Sequence, residues 1–260
     1  MNDKPVLWET DDRGVATLTL NRPERNNAYN SNLINSLHQA MDELSSLAGL
    51  RALIIKGNGR HFQAGADLIW INEVRVGSRS ENIAASRATA EAIDRLNRLT
   101  LPTVALVHGF CVGGGTGLIA ACDIVIAAED AKFAISEVRW GLTASIIFPQ
   151  LNDAISVRQL RRYGLTGERF GAAEARRIGL VHEVVPGAEL TAAGNRIVDA
   201  LLENAPVAIA ETKHLALAHA FGDVSAGTLL SLVENHAAKR QSDEAEEGLA
   251  SFAEKRPARW

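Results

Sequence analysis

Two stretches of the 260-residue chain pair an apolar run with a cluster of small residues. In the first, Leu53-Ile54-Ile55-Lys56-Gly57 leads to His61-Phe62-Gln63-Ala64-Gly65-Ala66-Asp67-Leu68. In the second, Val104-Ala105-Leu106-Val107-His108-Gly109 leads to Gly113-Gly114-Gly115. Each reads as a strand, a turn of small residues and the start of a helix. Small residues let the main chain approach a ligand closely, and the start of a helix offers N–H groups without an internal acceptor. Two such groups aimed at one point make an oxyanion hole, a device that polarises a carbonyl. Taken singly, each stretch also fits a tight strand-to-helix connection that binds nothing.

Other chemistries find no matching pattern. The run Gly113-Gly114-Gly115-Thr116-Gly117 fails the dinucleotide fingerprint because Leu118 stands where its last glycine belongs. It fails the P-loop because Gly115 stands where the lysine belongs. No G-x-S-x-G nucleophile elbow occurs, and His182-Glu183 lacks a second histidine at metalloprotease spacing. A metal centre or a serine hydrolase is not expected.

The elements that must position the two stretches alternate between strand and helix periods. Val15–Leu20 alternates like a half-buried strand, and 53–55, 104–107 and 124–128 are short apolar strands. From Ser31, read as an N-cap, Leu33, Ile34, Leu37, Met41, Leu44 and Leu47 recur at helical spacing, and the Ala-rich 81–99 shows a similar face. The alternation predicts an α/β fold with a largely parallel sheet. Beyond about residue 150 the strand signal fades, and 187–204, 206–220, 224–240 and 244–254 read as helices. The chain is therefore divided into an α/β core, 1–200, and a helical C-terminal domain, 201–260.

Composition narrows the setting. Apolar residues make up 47% and charged residues 22%, ordinary for a protein with a real core. The net charge of −4 and the lack of a basic stripe argue against nucleic acid or a membrane surface as partner. Cys111 and Cys122 cannot form a disulfide framework or a four-ligand zinc site, so a reducing, cytoplasmic location is expected. No apolar run marks a secretory signal at the N-terminus or a membrane span.

Five blocks now carry a resemblance. They are Asn21-Arg22-Pro23-Glu24-Arg25-Asn26-Asn27-Ala28, then Phe62-x-Ala64-Gly65-Ala66-Asp67-Leu68, Gly113-Gly114-Gly115, Asp123 and Ser136-Glu137-Val138-Arg139-Trp140-Gly141-Leu142. In this order and spacing, from about residue 13 to the C-terminus, the chain resembles the enoyl-CoA hydratase/isomerase (crotonase) superfamily. The resemblance implies a crotonase-like spiral of ββα units with a helical C-terminal trimerisation part, and a trimer or hexamer. It implies an acyl-CoA substrate and no further cofactor, coenzyme A being part of the substrate.

Carried over residue by residue, the resemblance makes the Ala66 and Gly114 N–H groups the oxyanion hole and Glu137 the carboxylate that moves protons. An apolar surround such as Trp140, Leu142 and Ile147 should raise the pKa of Glu137. Ala64, Asp67 and Leu68 fall where the family cradles the CoA adenine. Arg25 and Ala28 fall near the CoA phosphates and pantetheine; Arg25 also fits an ordinary solvated charge. Phe252 and Lys255 resemble C-terminal residues that reach a CoA on the same or an adjacent subunit.

One position departs from the pattern. Two-carboxylate hydratases of the family carry a second glutamate three residues beyond the oxyanion glycine; here that residue is Gly117. Glu137 then serves both steps of a hydration, or the enzyme is a double-bond isomerase, or another side chain supplies the missing function. A catalytically silent acyl-CoA- or RNA-binding relative is a further alternative. Gly113 to Leu118 together with Ser136 to Leu142 looks like the 3-methylglutaconyl-CoA and isohexenylglutaconyl-CoA hydratases. On that reading Arg139 is a partner for a distal carboxylate, unless it pairs with an acidic residue elsewhere, and Trp140 reshapes the pocket.

Overall fold

The computed structural model describes residues 4–219 and 243–259. A six-stranded sheet of order β1-β2-β3-β4-β6-β9 forms its centre. It comprises β1 (Val6–Thr10), β2 (Val15–Leu20), β3 (Ala52–Gly57), β4 (Thr103–Val107), β6 (Ile124–Ala128) and β9 (Glu183–Val185). Only β1 runs antiparallel to its neighbour; every other pairing is parallel. A second sheet holds β5 (Phe110–Val112), β7 (Lys132–Ala134) and β8 (Phe170–Gly171).

The inner strands of the main sheet are largely apolar on both faces because both faces are covered. In β4 every residue is buried: Ala105 and Val107 face one core, Val104 and Leu106 the other. The first core takes Leu33, Leu37, Met41 and Leu44 of α1 (Ser31–Ser46) and Ala92, Ile93 and Leu96 of α3 (Arg79–Asn97). The second takes Leu190, Ala193 and Val198 of α7 (Leu190–Leu202). β2 follows the same rule and is not half-buried as its alternation suggests: Val15 faces the second core, Ala16, Leu18 and Leu20 the first.

Helix boundaries follow local chemistry. α1 is capped by Asn30, whose side chain accepts from Leu33 N–H, so Ser31 is the first helical residue rather than the cap. Ser78 and Glu81 close a capping box that starts α3 two residues before its expected beginning. Beyond residue 150 the chain is not purely helical. α5 (Phe148–Thr166), broken at Ser156, and α6 (Ala172–Arg177) enclose β8, and β9 completes the main sheet.

α8 (Pro206–Ala218) is anchored by one charge cluster. Asp123 Oδ2 accepts from Thr103 N–H at 2.7 Å, Thr103 Oγ1 at 2.8 Å and Lys213 Nζ at 2.8 Å, and Lys213 Nζ also donates to Leu101 O at 3.1 Å. A C-terminal helix spans Asp243–Glu254; the expected helix over 224–240 lies outside the described residues. Among the described residues no helix is long and apolar enough to cross a membrane.

Candidate active site

β3 and β4 are adjacent, parallel and in register, Leu53 opposite Thr103 and Lys56 opposite Leu106, so the segments leaving their C-terminal ends emerge side by side. After β3 the chain is fixed by the buried Asn27 amide, which donates to Asn58 O and His61 O at 2.8 Å each. Gln63 N–H then donates to Phe110 O at 3.0 Å and Val112 N–H to Gln63 O at 3.0 Å, which ties this segment to β5. Gln63 Oε1 accepts from Gly65 N–H at 2.8 Å.

The next residues make a single parallel bridge between Tyr29 and Ala66. Tyr29 N–H donates to Gly65 O and Asp67 N–H to Tyr29 O, both at 2.9 Å. In such a bridge the amide of the central residue points the other way, so Ala66 N–H faces away from Tyr29 backbone. Across from it, Gly113 (φ 54°, ψ −129°) ends β5 with its N–H on Ala134 O at 2.8 Å. Gly114 then opens α4 (Gly114–Ala120), where its N–H has no acceptor four residues back.

The two turns pack main chain to main chain: a Cβ on Gly113 would lie 3.6 Å from Gly65 Cα. At Gly114 a Cβ would stand 2.5 Å from Tyr29 Cε1, so the ring of Tyr29 closes against the glycine. Ala66 and Gly114 both line a cavity of about 570 Å³.

Glu137 enters this cavity from a 3-10 turn, Glu137–Trp140, closed by Gly141 in the left-handed region and by Leu142 N–H on Glu137 O at 3.0 Å. Its Oε1 lies 3.1 Å from the Cβ position of Gly113. Its Oε2 is buried with no hydrogen-bond partner in the protein. Burial pushes the carboxyl up from its ordinary pKa, against the opposing pull of the Glu137 and Ser136 backbone amides. The aromatic neighbour expected from sequence does not supply that burial, since Trp140 is 62% exposed and Leu142 39%. Of the three named residues only Ile147 is buried.

Ile147 also explains Gly117. A Cβ on Gly117 would fall 2.3 Å from Ile147 Cγ2 and 2.5 Å from its Cβ. The space that a glutamate at 117 would need is filled by an isoleucine that is 1% exposed.

Of the residues singled out from sequence, the fold brings Ala64, Ala66, Leu68, Gly114, Glu137, Arg139 and Trp140 to one cavity wall. Four others stand off it. Arg25 is exposed on a 3-10 turn, and Ala28 is buried with its carbonyl taken by Arg22. Asp67 caps α2 (Leu68–Val76) through Ile69 N–H and pairs with Arg22 at 3.3 Å. Lys255 is exposed beyond the C-terminal helix, and the side chain of Phe252 lies outside the described residues.

Sequence reasoning missed lining residues that include Tyr29, Trp70 and Arg169. Tyr29 directly follows the first block, and its ring meets Trp70 edge-on at 5.7 Å. Arg169, just before β8, lines the cavity as Arg139 does; neither forms an ion pair among the described residues. No signal in the sequence marks Arg169, because only tertiary folding brings β8 to the site. Among the described residues no group of three or more His, Cys, Asp or Glu side chains gathers as a metal site.

Comparison with known proteins agrees with this geometry. The family model "Enoyl-CoA hydratase/isomerase" matches residues 10–260. The chain belongs to the enoyl-CoA hydratase/isomerase family. It superposes on the crystal structure of an enoyl-CoA hydratase from Shewanella pealeana with a TM-score of 0.94, at 35% identity, covering 98% of this chain and 96% of that one. It is 31% identical over 260 residues to a mitochondrial Delta(3,5)-Delta(2,4)-dienoyl-CoA isomerase of Dictyostelium discoideum, covering 96% of this chain and 88% of the relative. It is 34% identical over 214 residues to a hydroxycinnamoyl-CoA hydratase-lyase of Pseudomonas fluorescens, covering 81% and 77%. The expected α/β crotonase fold is thus found, and family members of differing reaction share it.

Two consequences can be measured without substrate. Gly117→Glu forces a side chain into Ile147 and should lower stability by about 1–3 kcal/mol, read by denaturant unfolding; Ile147→Ala in the same chain should recover part of it. Glu137 has a folded-state pKa above its unfolded one, so its protonated form favours folding and that benefit is lost as pH rises through the folded value. Glu137→Gln should therefore melt above the wild type at pH 8, with the difference vanishing below pH 4, where both side chains are neutral. A variant less stable at pH 8 would contradict this.

Proposed function

We propose that the protein is a hydro-lyase that adds water across the α,β double bond of an acyl-CoA thioester, with Glu137 as its single acid/base. The observation that carries this reading is one buried carboxylate oxygen without a partner beside two main-chain N–H groups on one cavity wall. The Ala66 and Gly114 N–H groups would hold the thioester oxygen as it gains charge, each worth about 3–4 kcal/mol by analogy with measured oxyanion donors. Glu137 would accept a proton from water as the oxygen attacks the β-carbon. It would then return that proton to the α-carbon. A carboxyl raised in pKa by burial suits both halves of such a cycle.

For the acyl group we propose a branched, glutaconyl-type chain, 3-methylglutaconyl-CoA or isohexenylglutaconyl-CoA, whose second carboxylate needs a cation. Arg139 and Arg169, both on the cavity wall and both outside the ion pairs formed by the described residues, support that choice. Ala64 and Leu68, on the cavity wall, would touch the coenzyme, and the exposed Arg25 and Lys255 would meet its phosphates. The same proposal includes the division at about residue 200, a trimer or hexamer built through the C-terminal helices, a cytoplasmic location and independence of any further cofactor.

A second reading, a double-bond isomerase, is favoured by the filled space at Gly117, because moving one proton from one carbon to another needs only one base. Product mass separates the two. Crotonyl-, 3-methylglutaconyl-, isohexenylglutaconyl- and 3-hexenoyl-CoA are each mixed with the enzyme. The hydratase reading expects a gain of one water, fastest on a glutaconyl-type substrate. It also expects Glu137→Gln to lower kcat by about a thousandfold with binding of a saturated acyl-CoA retained. Conversion of the 3-hexenoyl thioester to its conjugated isomer with no mass change would make it an isomerase.

A further inference from the structure

Hydration makes two demands on the attacking water. It must lose a proton to a base, and its oxygen must be fixed over the β-carbon by a second contact. In the proposed reaction Glu137 meets the first demand. The second cannot come from position 117, which Ile147 closes.

Tyr29 stands at the right place. Its backbone is bonded in both directions to the turn that carries Ala66, so the two move together. Its ring lies on Gly114, with the hydroxyl oxygen 3.3 Å from that glycine's Cβ position. On its other side Trp70 braces it, held in turn by an Nε1–H bond to Ser31 Oγ at 2.8 Å. The side chain lines the same cavity as Glu137, whose charge together with burial pushes the phenol up to about 12, leaving its O–H intact at neutral pH. The side chain is half-buried, and no described residue hydrogen-bonds its hydroxyl.

We infer that Tyr29 is a catalytic residue of the hydration, its hydroxyl oxygen accepting one hydrogen of the attacking water while Glu137 accepts the other. The inference rests on the hydratase reading. As the oxygen–β-carbon bond forms, water gives one proton to Glu137. The π electrons move toward the thioester oxygen held by Ala66 and Gly114. Glu137 then returns the proton to the α-carbon. Tyr29 keeps its own proton throughout, and one water is added with no other reactant. Exchange of the α-proton of a saturated thioester needs Glu137 and the two N–H groups but no nucleophilic water, so it isolates Tyr29 from the rest.

The test is Tyr29→Phe, which keeps the ring that packs on Gly114 and Trp70. Hydration kinetics are measured on the substrate the wild type hydrates fastest, beside deuterium uptake by butyryl-CoA in D2O, read by mass. The expected result is a hydration kcat about ten- to a hundredfold lower, with KM, deuterium uptake and melting temperature each near the wild-type value. Unchanged hydration would make Tyr29 a packing residue and overturn the inference. A parallel fall in hydration and exchange would overturn it as well, placing Tyr29 in the α-proton machinery. A wild type that hydrates no member of the acyl-CoA panel defeats the hydratase reading itself, an outcome visible before any substitution is made.

Discussion

The site depends on two turns whose main chains approach more closely than side chains permit. Gly65 and Gly113 meet backbone to backbone, and the residue after each, Ala66 and Gly114, lines the same cavity. The rest of the architecture serves that contact. Parallel β3 and β4 deliver the two segments at one end of the sheet, Gln63 bonds each to the other, and the Tyr29–Ala66 bridge sets which way the Ala66 amide points. A rigid sheet buried on both faces makes the placement independent of solvent-exposed loops.

Against this frame Glu137 is held at a cost. A buried carboxylate oxygen without a partner in the protein destabilises the ionised form, which is also what raises its pKa and makes it able to hold and release a proton. Stability and chemistry therefore pull in opposite directions at one side chain, as they often do at functional sites. Ile147 sets the other limit: by filling the volume beside Gly117 it leaves the site with one carboxylate and an apolar wall.

Much of this was legible in the sequence where the signal was local. Helical period marked α1 and α3, alternation marked β2, apolar runs marked β3, β4 and β6, and the small residues marked two turns within which the family resemblance singled out Ala66 and Gly114. Strands of two to five residues such as β1, β5, β7, β8 and β9 are set by pairing with distant partners, so no local period announces them. The same holds for side chains. Asp67, which the resemblance puts beside the coenzyme, uses its carboxylate to cap α2 and to pair with Arg22. Arg169 and Tyr29 gain meaning only when folding carries them to the cavity, and Trp140 is exposed where its type suggested burial.

One carboxylate is proposed to perform both proton transfers, and stereochemistry tests this directly. Hydration of crotonyl-CoA in D2O places one deuterium on the α-carbon, and the coupling of the remaining α-hydrogen to the β-hydrogen shows on which face. If Glu137 both deprotonates the water and delivers the α-proton, deuterium and hydroxyl enter from the same face. Deuterium on the opposite face would require a second acid across the substrate and would contradict the account.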